Sequence, residues 1–342
     1  MTDHGNYLFH RTLTGAVRRT LVALLAVIAI LSPSALGIPS SAAALGLPSS
    51  AAALGLPPSP RALAQAAPGT DIWVLDLHDS GGEVRISNPV RISNRAGYDN
   101  QPHFGPGGTY VLYTSIDDAG QADILRYDFS SGKSENLTRT ASESEYSATL
   151  MPGGGRFSAI RVEADSTQRL WSFDLSGSDP QIVLHAVMPV GYHAWIDEET
   201  LALFVLGSPA TLQIATAGDE TAQIYAQDIG RSLHKVPHHR LASFLHWETR
   251  DGERVGVIKT IDPTSGEMEV AGVALEGSQD YAWTVEGVIL MASGSTLFSH
   301  TPGDEAGWRE VADLAPVGID GISRLAVSPD GNRLAVVGVE AQ

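Results

Sequence analysis

The chain contains no cysteine, which excludes disulfide bridges and thiolate metal sites. In 342 residues that is no obstacle to folding, even outside the cell, because a core of this size needs no covalent staples. Positive charge is scarce as well: 22 Lys and Arg face 39 Asp and Glu, a net charge of −17. An acidic chain repels phosphate backbones and anionic headgroups, so nucleic acid and lipid surfaces are not expected partners. Familiar catalytic signatures are missing. There is no Gly-x-Ser-x-Gly elbow, no Gly-x-x-x-x-Gly-Lys-Ser/Thr loop and no His-Glu-x-x-His. His234, His238, His239 and His246 cluster in sequence. His238 and His239 fall on a turn, however, and adjacent side chains point apart, so no zinc site is expected there.

The N-terminus does carry an apolar run, Leu21–Leu31, but its 11 residues fall short of the roughly 20 that a spanning helix needs. Arg11, Arg18 and Arg19 precede it and small residues follow. Charge, apolar stretch and small-residue cleavage site together predict a signal peptide over residues 1–34. The Arg18-Arg19 pair leaves the twin-arginine and general routes both open. Residues 35–69 hold a tandem nonamer, ALGIPSSAA, ALGLPSSAA and ALGLPPSPR. Each unit is too small and too Pro-broken to bury a core, so the segment reads as a linker. Cleavage after Ala43 or Ala66 fits the small-x-small rule. The mature chain is therefore expected to be periplasmic or extracellular, without membrane insertion.

Residues 70–342 are one repeat used six times. QPHFGPGGTYVLYTS from Gln101, SATLMPGGGRFSAIRV from Ser147 and SRLAVSPDGNRLAVVG from Ser323 each read strand, Pro-Gly turn, strand. LHKVPHHRLASFLH from Leu233 keeps the frame without glycine, and HAWIDEETLALFVL from His193 and YAWTVEGVILMA from Tyr281 keep it in degenerate form. The turn positions Pro106, Pro152, Asp197, Pro237, Val285 and Pro329 are spaced 46, 45, 40, 48 and 44 apart. That is the period of a four-stranded propeller blade, ~40–50 residues. Two shorter strands follow each hairpin, as in ADILRYDFSSG from Ala122 and QRLWSFDLSG from Gln168. No later stretch keeps a helical period.

The last repeat has only two strands, while DIWVLDL from Asp71 and PVRISN from Pro89 resemble strands three and four without their partners. Joined, they make one blade and close the ring, which removes the exposed edges. The fold expected is all-β, a six-bladed propeller of four-stranded antiparallel blades closed by both termini.

These Pro-Asp/Gly-Gly hairpins, with third strands IWVLDL, ILRYDF and LWSFDL, resemble the TolB-like propellers of bacterial envelopes, within the WD40-like Pro-Asp-Gly repeat superfamily. The resemblance covers the propeller alone, since only signal and linker precede Asp71. It implies an envelope setting and a protein or peptide partner.

The segments leading into the innermost strands sit at one mouth of the central channel. They supply a candidate ligand site: Tyr98, Asp99, Asn100, Glu145, Tyr146, Tyr192, His193, Arg231, Asp280, Tyr281 and Arg324. The competing reading is that these groups pair with one another and hold blades together, with Trp195 and Trp283 as interblade packing. The expected function is non-catalytic binding or scaffolding, as a monomer without cofactor, toward an envelope protein, a peptide or a small polar ligand. The alternative is a divalent-metal-dependent hydrolase of the lactonase-like propeller type. There Asp99, Asn100, Glu145 and Asp280 would offer oxygen ligands to Ca²⁺, opposed by Arg231 and Arg324.

Overall fold

The computed structural model describes residues 69–340. The expected signal peptide and all but the last residue of the expected linker lie outside the described residues. The chain enters with β1 (Asp71–Asp79) and β2 (Val84–Arg91). One complete blade follows, β3 (Tyr98–Phe104), β4 (Tyr110–Ile116), β5 (Ala122–Asp128) and β6 (Lys133–Asn136). The second holds β7 (Ser144–Leu150), β8 (Arg156–Val162), β9 (Gln168–Asp174) and β10 (Gln181–Ile182). The third holds β11 (Val190–Trp195), β12 (Thr200–Val205), β13 (Thr211–Thr216) and β14 (Gln223–Gln227). The fourth holds β15 (Ile229–Lys235), β16 (Ala242–Arg250), β17 (Glu253–Ile261) and β18 (Met268–Val273). The fifth holds β19 (Tyr281–Trp283), β20 (Ile289–Ser293), β21 (Thr296–His300) and β22 (Arg309–Asp313). The chain ends with β23 (Ile319–Val327) and β24 (Arg333–Glu340). Among the described residues the only helical turns are two short 3-10 turns, and no helix is long and apolar enough to cross a membrane.

Six sheets of four strands result, and the sixth has the order β2-β1-β24-β23. Its central pairing joins the two ends of the propeller, antiparallel from Asp71 opposite Gly338 to Asp76 opposite Arg333. The closure expected from the half-repeats is therefore present. The fourth strand of this blade starts at Val84 rather than at Pro89. Asp79 accepts a hydrogen bond from the Gly82 amide and ends the hairpin early, so pairing begins with Asp79 opposite Val84. Pro89, which has no N–H to donate, lies on the outermost strand, where a missing donor costs no ladder bond.

The hairpins follow from their residues. In the first, Pro106 opens the turn and Gly107 takes φ 58°, which a side chain rarely adopts. Gly105 is needed for space instead, because a Cβ there would lie 2.2 Å from the Tyr110 ring. Where the fourth hairpin lacks glycine, His238 adopts φ 61°.

The blades pack face to face through alternating apolar positions. Leu75, Leu334 and Val336 of the closing blade meet Leu290 and Leu297 of its neighbour, all at most 1% exposed. Burying a side chain of this size contributes about 1.5–3 kcal/mol. A polar link joins the same blades, from Thr284 Oγ1 to Asp79 Oδ2 at 2.6 Å.

Candidate functional site

The innermost strands β3, β7, β11, β15, β19 and β23 surround a central cavity of about 340 Å³. All but the short β19 carry a bulge against the second strand of their blade. Bulges re-aim side chains, and here Gln101 and Ser147, at φ 57° and 54°, sit in them and line the cavity. Gln101 is locked in place: its side-chain oxygen accepts from Thr114 Oγ1 and from the Ser147 amide, both at 2.8 Å.

Counting back from each turn position gives the lining directly. Five residues back lie Gln101, Ser147, Tyr192, Ser232, Asp280 and Arg324. Three back lie His103, Thr149, Ala194, His234, Ala282 and Ala326, nearer the hairpins. Exposure rises toward the hairpins. Lys235 is exposed, and Leu150, Pro237 and Val327 are half-buried. At the opposite end Tyr98, Tyr146 and Arg231 are buried. The cavity thus opens on the hairpin side.

Of the residues singled out in the sequence, Tyr192, His193, Arg231, Asp280, Tyr281 and Arg324 come together in this cavity. Arg231 and Arg324 share the Asp280 carboxylate. Arg231 donates from Nε to Oδ1 at 3.0 Å and from Nη2 to Oδ2 at 2.5 Å, and Arg324 Nη1 lies 3.0 Å from Oδ1. Arg324 also donates to Tyr192 Oη at 2.9 Å and stacks over that ring at 4.8 Å. Burial pushes the Asp280 carboxyl up, but the two guanidiniums outweigh it and hold it below the ordinary carboxylate value. Burial likewise opposes the charge on Arg231, and Asp280 outweighs it.

The other five lie behind or beside the cavity wall. Asp99 receives Arg95 Nε at 3.0 Å, and burial raises its carboxyl against the pull of Ser115 and Arg95. Glu145, fully buried, receives Arg161 Nε and Thr140 Oγ1, each at 2.8 Å; burial raises it against Arg161. Asn100 donates to Thr70 Oγ1 and accepts from the Gln101 amide. Tyr146 is buried, which pushes its hydroxyl up to about 12. Tyr98 is 1% exposed, its hydroxyl has no hydrogen-bond partner, and its nearest electrostatic neighbours include Tyr192, Arg324 and Arg231.

The four candidate calcium ligands therefore do not converge. Asp99, Asn100 and Glu145 bond to other groups outside the cavity, and Asp280 is held between two cations. Among the described residues no cluster of three or more His, Asp or Glu could hold a metal ion.

Sequence reasoning passed over three kinds of cavity residue. His103 and His234, half-buried, join the buried His193 as imidazoles lowered to about 4, 4 and 3 by burial. All three are neutral at pH 7. Trp195 and Trp283, assigned to packing, both pack and line the cavity. The Trp195 indole donates to Ser158 Oγ at 2.9 Å and that of Trp283 to Ser243 Oγ at 2.8 Å, each serine belonging to the preceding blade. Lys235 stands at the rim. The signal that finds them is the offset of two or three residues before the turn.

Ser232 Oγ lies 3.0 Å from His234 Nε2, and both line the cavity. The His234 ring is oriented by the Tyr281 backbone rather than by a carboxylate. Asp280 is the carboxylate lining this cavity, and the two arginines occupy it. The arrangement suits recognition, with fixed donors, neutral imidazoles and aromatic walls.

No family model and no curated protein matches the chain. Among solved structures, it is similar to a putative TolB from Agrobacterium tumefaciens, with TM-score 0.61 and 12% identity over 80% of this chain and 99% of that one. It is also similar to TolB from Acinetobacter baumannii, with TM-score 0.52 and 12% identity over 80% of this chain. It spans 65% of the length of that structure. At this identity the likeness shows a shared TolB-like six-bladed propeller fold.

Proposed function

We propose that the chain is an exported, non-catalytic binding or scaffold propeller that engages an envelope protein, a peptide or a small polar ligand through its central channel. One observation carries this reading: the cavity of about 340 Å³, open on the hairpin side and lined by all six blades. Its volume falls in the range of small-ligand sites, ~300–1,000 Å³. Convergent polar groups at its closed end and two indoles in its walls give it the composition of a recognition site. The metal-dependent hydrolase reading has less support, because three of its four oxygen ligands bond outside the cavity.

The test is recovery of partners from an envelope extract with the wild-type chain and with Ala326→Trp, which fills the channel from its wall. Loss of recovery at unchanged melting temperature is the expected result; equal recovery overturns the channel as the binding site. The export component predicts a mature N-terminus between residues 44 and 67, read by N-terminal sequencing of an exported fraction. An intact Met1 terminus in the membrane fraction would overturn it.

A further inference from the structure

The cavity is cationic inside an acidic molecule. Its charged lining is Arg231, Arg324 and Lys235 against Asp280, which leaves +2 in a chain of net charge −17. Beyond about 8 Å, physiological salt screens exposed charge, so the overall sign matters little to a ligand already in the channel. There the local surplus decides.

One cationic donor group in this space has capacity to spare. Arg324 hydrogen-bonds Tyr192 and ion-pairs with Asp280, which leaves the rest of its guanidinium fork unused. Spare guanidinium donors in a lining of net positive charge call for an anionic acceptor. The walls call for something else. The indole N–H groups of Trp195 and Trp283 are spent on Ser158 and Ser243, so the rings offer the channel only apolar surface. Leu150, Leu233, Leu325 and Val327 extend it.

Resting on the channel as the binding site, we propose that it takes a small organic carboxylate with a flat apolar body. The carboxylate would lie toward Arg324, and the body would lie against the tryptophan-lined walls. A carboxylate matches the guanidinium fork in geometry as well as charge. Neutral imidazoles admit the anion without adding cations that would compete for Asp280.

The experiment is calorimetric titration of the exported chain at pH 7.5 and physiological salt with three probes of one shape: phenylacetate, phenylacetamide and 2-phenylethylamine. Phenylacetate is expected to bind at least tenfold more tightly than the amide, with the amine weakest. Arg324→Met, verified as folded by its melting curve, is expected to erase the preference for the acid. Should that variant not fold, the wild-type ranking of the three probes still decides. Equal affinity for acid and amide, a preference that survives in Arg324→Met, or no binding of any probe at millimolar concentration would each overturn the assignment. Such a result combined with lost partner recovery in Ala326→Trp would overturn the anion alone and leave the channel as a site for other chemistry.

Discussion

Arg231 and Asp280 meet across the boundary between the fourth and fifth blades in a two-point pair, 3.0 Å from Nε to Oδ1 and 2.5 Å from Nη2 to Oδ2, with the arginine side chain 3% exposed. The pair is unequal. Asp280 serves Arg324 as well, so the carboxylate is the hub and each guanidinium is a spoke. Asp280→Ala takes the shared carboxylate from both guanidiniums and is expected to cost about 3–5 kcal/mol, the range for removing one partner of a buried pair. Arg231→Met leaves Asp280 still facing Arg324 and is expected to cost less than half as much. Denaturant titration of both variants checks the asymmetry; equal losses would mean that Arg324 does not share the carboxylate.

Ser243 accepts two buried donors from the next blade, Tyr281 Oη at 3.0 Å and Trp283 Nε1 at 2.8 Å. Ser243→Ala removes both acceptors. Each unsatisfied buried donor costs ~1–3 kcal/mol, so a loss of about 2–6 kcal/mol is expected for the two. Thermal and denaturant unfolding test it, and a loss below about 1 kcal/mol would show that the hydroxyl is not the acceptor for both.

Burial lowers His193 to about 3 from its ordinary 6.5. A group whose folded value is depressed binds its proton first in the unfolded chain, so its contribution is complete above pH 6.5 and is lost as pH falls toward the folded value. Between pH 6.5 and 5 this one histidine removes about 2 kcal/mol. Other groups add to the pH dependence: burial lowers His103 and His234 and raises Asp99 and Glu145. The measurement is therefore a difference of slopes. Stability against pH in His193→Gln should be flatter than wild type over this window by about that amount. Parallel curves would show that His193 is not buried neutral.

The ring closes on β24, which pairs with β1 along six positions and with β23 on its other side. Deletion of residues 323–342 exposes the edge of β1 and opens the apolar layer around Leu334 and Val336. Cooperative unfolding is expected to be lost, seen as a broad calorimetric transition. A sharp transition at the wild-type temperature would show that the closing blade is dispensable.

The sequence by itself determined the six hairpins, the blade period and the joining of the two ends. These are local properties: proline and glycine set each turn, and an open sheet edge must find a partner. It also brought Tyr192, His193, Arg231, Asp280, Tyr281 and Arg324 into view, because polar and aromatic residues recur where inner strands begin. Which of the candidates face the channel was decided by tertiary structure. A bulge shifts the alternation of a strand by one residue, and the bulges at Gln101 and Ser147 leave Asp99 and Glu145 outside the cavity, against Arg95 and Arg161. No period along the chain shows such a shift. Nor could the sequence show that Asp280 holds Arg231 and Arg324 together. Those residues stand 49 and 44 positions away on different blades, and only closure of the ring brings their charges within bonding distance.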